Sequence, residues 1–297
     1  MSRSKKLSNH TKIPIPIGIF FLPMKQQIAI QGIQGSFHHQ VALAYFPDVF
    51  ELVECLSFEA VADSLLRGHA TQAVMALENS IAGALLPNYA LIDRNDFHIV
   101  GEQYLEIQQN LMALPGQSLA SLQEVHSHPM ALLQCMEFLK QHPHLKLVED
   151  KDTAETARRI QAQQLQGIAA IGSVVAAELF ALEIIAPQIQ TVNNNLTRFA
   201  IVSRQPNAPS NTINKASVKF ELHHQRGSLA AVLNVMSDCR LNLTKIQSLP
   251  KIESPFTYAF FVDVTFENYA DFEKAAALLN LMASSFKLLG IYQNTLP

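Results

Sequence analysis

The sequence predicts an α/β protein with a separate C-terminal βαββαβ domain. From Gln26 to Arg204, apolar runs typical of buried strands alternate with stretches that have helical spacing, as in layered α/β folds. The segment 205–214, QPNAPSNTIN, collects Pro, Asn and Ser without periodicity and is predicted to be a linker. Residues 215–297 then follow the order strand, helix, strand, strand, helix, strand, which is typical of ferredoxin-like domains.

The composition argues against two classes of protein. The chain has 297 residues, which suits about two domains of roughly 150 residues each. Hydrophobic residues make up 48% and charged residues 16%, whereas disordered chains are rich in charge and poor in apolar residues. The 22 basic and 25 acidic residues give a formal net charge of −3, so no nucleic-acid partner is expected.

Residues 1–24 are predicted to lie outside the folded protein, as a disordered extension or because the start codon was assigned too early. A secretory signal is the alternative, but Pro14, Pro16 and Pro23 oppose its helical core. The apolar run is also far shorter than the roughly 20 residues that span a bilayer, so no membrane association is expected. Met24 opens MKQQIAIQG, which is typical of a first buried strand.

Cysteine and histidine usage predicts neither a disulfide framework nor a metal site. Cys55, Cys135 and Cys239 are odd in number and far apart, which fits a reducing cytoplasm. The 11 histidines include no HExxH frame. We therefore expect a cytoplasmic protein without a metal ion or a cofactor.

The predicted elements follow one another in order along the chain. In the first part, strands are predicted at IAIQG, AVMALEN, FHIVGEQYLEI, EVHSH, IAAIGS and TRFAIVS, and helices at Ser36–Phe46, Ser57–Arg67, Met130–Gln141 and Ala154–Gln164. In the second part, the six elements are ASVKFELHH, SLAAVLNVMSDC, LNLTKIQSLP, TYAFFVDVTF, NYADFEKAAALLNLMAS and SFKLLGIYQ. Polar groups beside strand ends are the candidates for chemistry, because ligands of open α/β sheets bind there.

The first candidate is the turn Gly32-Ile33-Gln34-Gly35-Ser36, between a strand and a helix. Two glycines allow a tight turn, and Ser36 can cap the helix, whose N-terminus would suit a carboxylate or phosphate. The dinucleotide-binding and Walker patterns are both missing. A plain strand–turn–helix junction is the alternative interpretation.

Two further candidates also follow strands. Glu78, Asn79 and Ser80 offer an acid–base group and two hydrogen-bonding groups, although a capped loop would use the same residues. Ser127 and His128 precede Pro129, which suits a first helical position. His128 is either a proton carrier or a structural residue with its own partners.

The fourth candidate is Asn195-Leu196-Thr197-Arg198-Phe199, which leads into the strand AIVS. Thr197 offers a hydroxyl, and Arg198 offers a guanidinium that can grip a carboxylate with two hydrogen bonds. An ion pair between two lobes of the fold is the alternative for Arg198.

In their order and spacing, the segments GIQGS, ENSIAG, SHPMALLQC and NLTRF resemble the motifs of the prephenate dehydratases. The C-terminal part resembles the ACT-type regulatory domain of that family, through its βαββαβ order, GSLA at 227–230 and TKIQSLP at 244–250. The likeness covers residues 26 to about 294.

The resemblance implies a fold and an activity. Residues 25–204 would form a catalytic domain with two lobes, like a periplasmic binding protein, with lobe one at about 26–101 plus 182–204 and lobe two at 102–181. The implied reaction converts prephenate to phenylpyruvate with loss of water and carbon dioxide, in phenylalanine biosynthesis and without a cofactor.

The resemblance also implies roles for individual residues. Thr197, Glu78 and Asn79 would be catalytic, with Thr197 donating a hydrogen bond to the departing hydroxyl. Arg198 would anchor a carboxylate or organise the lobes. The implied substrate-binding residues are Ser36, Ser80, Ser127, His128, Gln134, Arg198 and Phe199.

Three positions depart from the family pattern. Ala76 stands where a proline is usual, His38 stands where a second serine is usual, and QSLP at 247–250 replaces ESRP in the effector segment. Regulation by L-phenylalanine is expected despite the lost charges, as is a homodimer or homotetramer, because ACT-type domains pair their sheets. The implied effector-binding residues are Gly227, Ser228, Leu229, Ala230, Asn242, Leu243, Ser248 and Pro250.

Two other functions stay open at this point. An arogenate dehydratase would carry out the same elimination on the amino-acid analogue of prephenate. A non-catalytic, amino-acid-sensing binding protein would use the same scaffold, although the intact ENS and TRF segments favour an enzyme.

Overall fold

The computed structural model describes residues 25–250 and 257–296, so the predicted extension at 1–24 lies outside the described residues. Up to the linker the elements are β1 (Gln26–Gln31), α1 (Phe37–Tyr45), β2 (Phe50–Cys55), α2 (Phe58–Leu66), β3 (Gln72–Asn79), β4 (Gly83–Ala84), α3 (Leu86–Arg94), β5 (His98–Glu106), β6 (Asn110–Ala113), β7 (Glu124–Ser127), α4 (Pro129–Gln134), α5 (Met136–Lys140), β8 (Lys146–Glu149), α6 (Thr153–Gln163), β9 (Ile168–Gly172), α7 (Val174–Leu179), β10 (Glu183–Ala186) and β11 (Leu196–Ser203).

These elements form two lobes, each built on its own sheet. Lobe one has the strand order β2-β1-β3-β11-β5, with β4 paired to β3, and lobe two has the order β10-β6-β9-β7-β8. In lobe one, β1 runs parallel to β2 and β3, whereas β11 runs antiparallel to β3 and β5. The two-lobed α/β arrangement confirms the predicted fold class.

The lobe boundaries differ from the predicted ones. β5 stays in the sheet of lobe one as far as Glu106, where it pairs with Leu196 of β11. Glu183 of β10 pairs with Ala113 of β6, so the segment after 181 still belongs to lobe two. The chain therefore crosses between the lobes after Glu106 and again before Leu196, and the boundaries predicted at 101/102 and 181/182 are wrong. Hydrophobic patterns identify strands but not their partners.

Side-chain caps explain where three of the helices before the linker begin. Ser36, Ser57 and Asp152 accept hydrogen bonds from backbone N–H groups in the first turns of α1, α2 and α6, which satisfies donors that the helix itself leaves unpaired. The single helix predicted over Met130–Gln141 is wrong, because the backbone at Cys135 (φ −104°, ψ 11°) separates α4 from α5.

The C-terminal domain consists of β12 (Lys215–Glu221), α8 (Ser228–Asp238), β13 (Asn242–Pro250), β14 (Tyr258–Thr265), α9 (Tyr269–Met282) and β15 (Ser285–Tyr292). Its sheet has the antiparallel order β13-β14-β12-β15. This βαββαβ order confirms the predicted ferredoxin-like fold.

The two faces of this sheet have different partners. Because side chains alternate along a strand, Val262 and Val264 pack under α8 and α9, whereas Phe261 packs on lobe one. Phe261 lies there in one hydrophobic core with Leu77 and Tyr89 of lobe one. The C-terminal domain is thus joined to lobe one through a shared core. None of the described helices has the length and apolar character needed to cross a membrane.

Candidate active site

A cavity of about 270 Å³ lies between the two lobes and is lined by residues from all four sequence motifs. Larger hollows lie elsewhere, including one of about 880 Å³ beside β2, but the sequence motifs do not meet in them. The motif residues that line the interlobe cavity are Ser36, Asn79, His128, Gln134, Thr197 and Phe199.

Asn79 and Thr197 form the centre of the cavity wall in lobe one. They are cross-strand partners on β3 and β11, and Asn79 Nδ2 donates hydrogen bonds to Thr197 Oγ1 at 2.8 Å and to Asn195 Oδ1 at 2.6 Å. Asn79 Oδ1 accepts from the backbone N–H groups of Ile81 and Ala82 at 3.0 and 2.8 Å. The orientation of the amide is therefore fixed, and Thr197, which accepts from it, keeps its hydroxyl proton free to donate into the cavity.

Glu78 does not reach the cavity, and its predicted catalytic role is not supported by the geometry. The register of β3 against β11 shifts at Leu77, because Arg198 pairs with Glu78 but Phe199 pairs with Ala76. Such a bulge changes which face later residues occupy. Ala76 and Asn79 consequently line the cavity, while the Glu78 carboxylate lies 2.7 Å from the ammonium group of Lys245 in the C-terminal domain.

Arg198 also faces away from the cavity, contrary to its predicted role as a substrate anchor. Its guanidinium is buried and donates to Glu102 and Tyr292 at 2.7 Å, and to Asp263. Burial lowers the pKa of Arg198, but the charges of Asp263, Tyr292 and neighbouring groups raise it by more, so the pKa lies well above its ordinary value. Arg198 alternates with Thr197 along β11 and joins lobe one to the C-terminal domain.

The Gly32–Ser36 turn brings the two lobes into contact. Gly35 has a φ of +86°, and Ser173, the cap of α7 in lobe two, donates to its carbonyl at 2.5 Å. A Cβ atom at Gly35 would lie only 3.0 Å from the Cα of Ala176. Glycine is therefore required here both for its conformation and for the close approach of lobe two. Ser36, with its hydroxyl capping α1, lines the cavity.

In lobe two, the predicted site residues separate into two groups. His128 and Gln134 line the cavity: His128 caps α4, accepting from Met130 N at 3.2 Å, and Gln134 Oε1 accepts from Gln109 Nε2 at 3.1 Å. Ser127, by contrast, is fully buried and donates to the carbonyl of Ile171 at 2.8 Å. Its predicted contact with substrate is not supported, because its hydroxyl is used within the lobe two core.

Ser80 is a structural link and not part of the cavity wall. Its hydroxyl donates to the carbonyl of Asn194 at 3.1 Å and accepts from Leu196 N at 3.0 Å. It therefore ties the end of β3 to the start of β11. This arrangement corresponds to the alternative interpretation of the motif, in which Ser80 serves the loop.

Three cavity residues were given no site role from the sequence, namely His38, Gln109 and Lys151. Asn195, the first residue of the fourth candidate motif, was given no individual role, and it bonds to Asn79 at the edge of the cavity. Lys151 is the cationic side chain among the lining residues, and it lies in lobe two just before the cap of α6. The sequence signals for these residues were indirect: Asn195 begins the fourth motif, His38 departs from the family pattern, and Lys151 lies just before a helix cap. Among the described residues, no cluster of His, Cys, Asp and Glu suits a metal ion.

The predicted effector-binding residues fall at two ends of the C-terminal sheet. Asn242 and Leu243 begin β13, where they pair with Thr265 and Val264. The other predicted effector-binding residues lie at the opposite end of the sheet: Gly227, Ser228, Leu229, Ala230, Ser248 and Pro250. At that end Glu221 of β12 and Leu249 of β13 both pair with Ala259 of β14. A single chain thus brings the GSLA turn near the QSLP segment but away from the start of β13.

Comparison with known proteins identifies the family. The prephenate dehydratase family model matches residues 28–207. The chain belongs to the prephenate dehydratase family. A relative from Arabidopsis thaliana, the chloroplastic arogenate dehydratase/prephenate dehydratase 2, is 35% identical over 279 residues, which cover 90% of this chain and 72% of the relative.

Two solved structures extend the likeness across both domains. GqqA, described as a novel type of quorum-quenching acylase, is 27% identical with a TM-score of 0.82, covering 91% of this chain and 98% of its own. The prephenate dehydratase from Arthrobacter aurescens, solved in complex with L-Phe, is 24% identical with a TM-score of 0.78, covering 90% of each chain. The second likeness supports the fold of this prephenate dehydratase family member.

Proposed function

We propose that this member of the dehydratase family acts on prephenate and releases phenylpyruvate, carbon dioxide and water. The observation that carries the proposal is the Asn79–Thr197 hydrogen bond in the interlobe cavity, which leaves the threonine hydroxyl free to donate. Arogenate, named for the Arabidopsis relative, is the second candidate substrate.

The proposed reaction needs a hydrogen-bond donor more than a strong base. The bond between the ring and its carboxylate breaks, and its electron pair enters the ring as carbon dioxide leaves. The ring then becomes aromatic as the carbon–oxygen bond at the opposite carbon breaks, and the hydroxyl takes up a proton and departs as water. A donor placed at that hydroxyl stabilises the charge that develops on it.

Thr197 is the proposed donor at the departing hydroxyl, and Asn79 is its positioning residue. Asn79 can only donate to Thr197 Oγ1, since its own oxygen is held by two backbone N–H groups. The threonine proton therefore points toward another acceptor. Preorganised donors of this kind need no reorganisation during reaction, which is where their catalytic benefit arises.

Lys151 is the proposed partner of the substrate carboxylate that is retained. It lies on lobe two, across the cavity from Thr197. Its positive charge suits the carboxylate at the end of the three-carbon side chain of prephenate. Gln109 and Gln134 add amide groups to the same wall. This role replaces the one that the sequence assigned to Arg198.

We further propose that the C-terminal domain regulates the enzyme by binding L-phenylalanine, the ligand in the Arthrobacter structure. The contacts of Glu78 with Lys245 and of Arg198 with Asp263 give that domain a direct link to β3 and β11.

We also propose a homodimer or homotetramer. In the described residues β13 lies at the edge of its sheet, where a strand of a second copy can pair with it.

The proposed location is the cytoplasm. The three cysteines are free and buried, which supports a reducing compartment.

One assay tests the proposed function. The purified chain is incubated with prephenate or with arogenate, and phenylpyruvate or phenylalanine is measured, in each case with and without added phenylalanine. The proposal expects phenylpyruvate formation well above the acid-catalysed background and slower turnover when phenylalanine is present. Faster turnover of arogenate would favour the second substrate. If neither substrate is converted, a second incubation with an N-acylated amine follows, and release of the amine would favour an acylase, the activity named for GqqA.

A further inference from the structure

His38 lines the interlobe cavity from the first turn of α1, and its Nε2 atom has no hydrogen-bond partner among the described residues. The residue is only 9% exposed. An unpaired buried nitrogen loses its hydration without compensation, so buried polar groups in native proteins are nearly always paired. The position is explained if a ligand supplies the missing partner.

Other buried polar atoms without a partner lie close to the His38 nitrogen. Four buried side-chain atoms lack a partner in the described residues, and two of them, His38 Nε2 and Gln109 Oε1, belong to residues that line this cavity. A third, Asn195 Nδ2, belongs to the partner of Asn79. Only Ser64 Oγ is remote from the motifs. The clustering indicates a polar ligand between the lobes.

Two aromatic rings hold the His38 imidazole in place. Its ring centroid lies 5.5 Å from that of Phe58 and 5.1 Å from that of Phe199, with edge-on geometry in both cases. Phe199 follows Thr197 by two residues on the same face of β11, at a distance of about 7 Å. His38 packs against Phe199 and not against Thr197, so the imidazole and the threonine hydroxyl meet the cavity at separate points of its wall.

In prephenate, the departing hydroxyl and the departing carboxylate are para to each other. We propose that His38 contacts the carboxylate that leaves as carbon dioxide, while Thr197 meets the hydroxyl at the other end of the ring. This inference rests on the proposed function and specifies how the substrate lies in the cavity.

An uncharged donor suits that position better than a cation. Burial lowers the pKa of His38 to about 4, so the imidazole is neutral near pH 7 and can donate through one N–H group. A cation would stabilise the carboxylate more than the transition state, in which its charge moves into the ring, and so would slow its loss. The charge of Lys151 then remains for the carboxylate that is retained.

The test compares His38→Phe, which keeps an aromatic ring, with His38→Gln, which keeps an uncharged donor. His142→Phe is the matched control, because the His142 ring also contacts the ring of a phenylalanine, Phe138, but lies outside the cavity. For each variant kcat/KM for prephenate is measured, together with the inhibition constant of phenylpyruvate, which lacks the ring carboxylate.

We expect His38→Phe to lower kcat/KM for prephenate by about 10- to 100-fold while the inhibition constant of phenylpyruvate changes by less than about twofold. His38→Gln should recover most of the loss, and His142→Phe should behave like the wild type. An unchanged kcat/KM in His38→Phe, or equal weakening of phenylpyruvate, would overturn the proposal.

Two controls keep the result interpretable. If His38→Phe does not fold, His38→Ala replaces it, because alanine also lacks a donor, and activity equal to that of His38→Gln would count against the proposal. A wild-type chain without turnover of prephenate would overturn the proposed function and this inference with it. Wild-type turnover with unaffected His38 variants would overturn this inference alone.

Discussion

Glu78 and Arg198 are cross-strand partners on β3 and β11, directly beside the pair formed by Asn79 and Thr197, yet the two pairs face opposite sides of the sheet. Asn79 and Thr197 face the interlobe cavity. Glu78 and Arg198 contact Lys245 and Asp263 of the C-terminal domain. The same two strands therefore carry the candidate active site on one side and the domain interface on the other.

The amide of Asn79 should matter for turnover more than for substrate binding. Asn79→Asp keeps the acceptor for the loop N–H groups but places a carboxylate against Thr197 and Asn195, where a donor is needed. We expect kcat to fall by about 10- to 100-fold, the equivalent of one or two lost hydrogen bonds. Asn110→Asp, at a buried asparagine that bonds only within lobe two, should leave kcat within about threefold. Equal kcat losses in both variants would contradict the positioning role.

Glu78 should prove to be an interface residue without a catalytic role. Glu78→Gln and Lys245→Met both break the 2.7 Å ion pair and should have similar effects on stability, each at most about 1 kcal/mol because the carboxylate is partly exposed. Turnover of prephenate should stay within about threefold of the wild type in both variants. A much larger kcat loss in Glu78→Gln than in Lys245→Met would restore a catalytic role for Glu78.

Asp263 should make stability depend on acid pH. Burial raises the pKa of its carboxyl, but the charge of Arg198, the hydroxyl of Ser217 and the charge of Lys215 lower it by more, so its pKa lies below the ordinary value of 3.8. A carboxyl with a lower pKa in the folded state stabilises the protein above its unfolded-state pKa, and this stability is lost as pH falls through the folded value.

We therefore expect the free energy of unfolding to decrease below about pH 4, and Asp263→Asn to flatten that decrease. At neutral pH the variant should be less stable by about 3 to 5 kcal/mol, because a buried cation loses a partner. Urea unfolding from pH 7 to about pH 3 measures both effects. The same pH slope in variant and wild type would show that Asp263 is not the group responsible.

Gly35 should be required for the lobes to close. An alanine there would have to keep a φ of +86° and would press its Cβ against Ala176 and the ring of Phe180. Gly35→Ala should raise KM by roughly three- to tenfold by holding the lobes apart. Gly116→Ala is the matched control, because Gly116 has a φ of +81° and nothing within 4 Å of an added Cβ. Identical KM values in the two variants would leave only backbone strain as the explanation.

The sequence predicted the fold well because hydrophobic periodicity and the linker are local properties. It placed Asn79, Thr197, Ser36, His128, Gln134 and Phe199 in one site, and the structure brings them together. It could not distinguish Glu78 from Asn79, because the bulge at Leu77 depends on how β3 pairs with β11. Strict alternation from Ala76 would have put Glu78 in the cavity.

Charge was the least predictable property of the site. Arg198 has the chemistry of a carboxylate anchor, but its partners Glu102 and Asp263 lie 96 and 65 residues away and meet it only in the folded protein. Lys151 lines the cavity from a loop without any motif. Tertiary packing, and not residue type, therefore decides which cation faces the cavity.

The formation of phenylpyruvate from prephenate by Thr197→Ala, compared with the wild type and with Thr197→Ser, tests the central claim most directly. If the hydroxyl held by Asn79 is the donor, Thr197→Ala should lower kcat by about 10² to 10⁴-fold while its melting temperature stays close to that of the wild type. Thr197→Ser, which keeps a hydroxyl, should restore much of the activity. Turnover by Thr197→Ala at the wild-type rate would contradict the account.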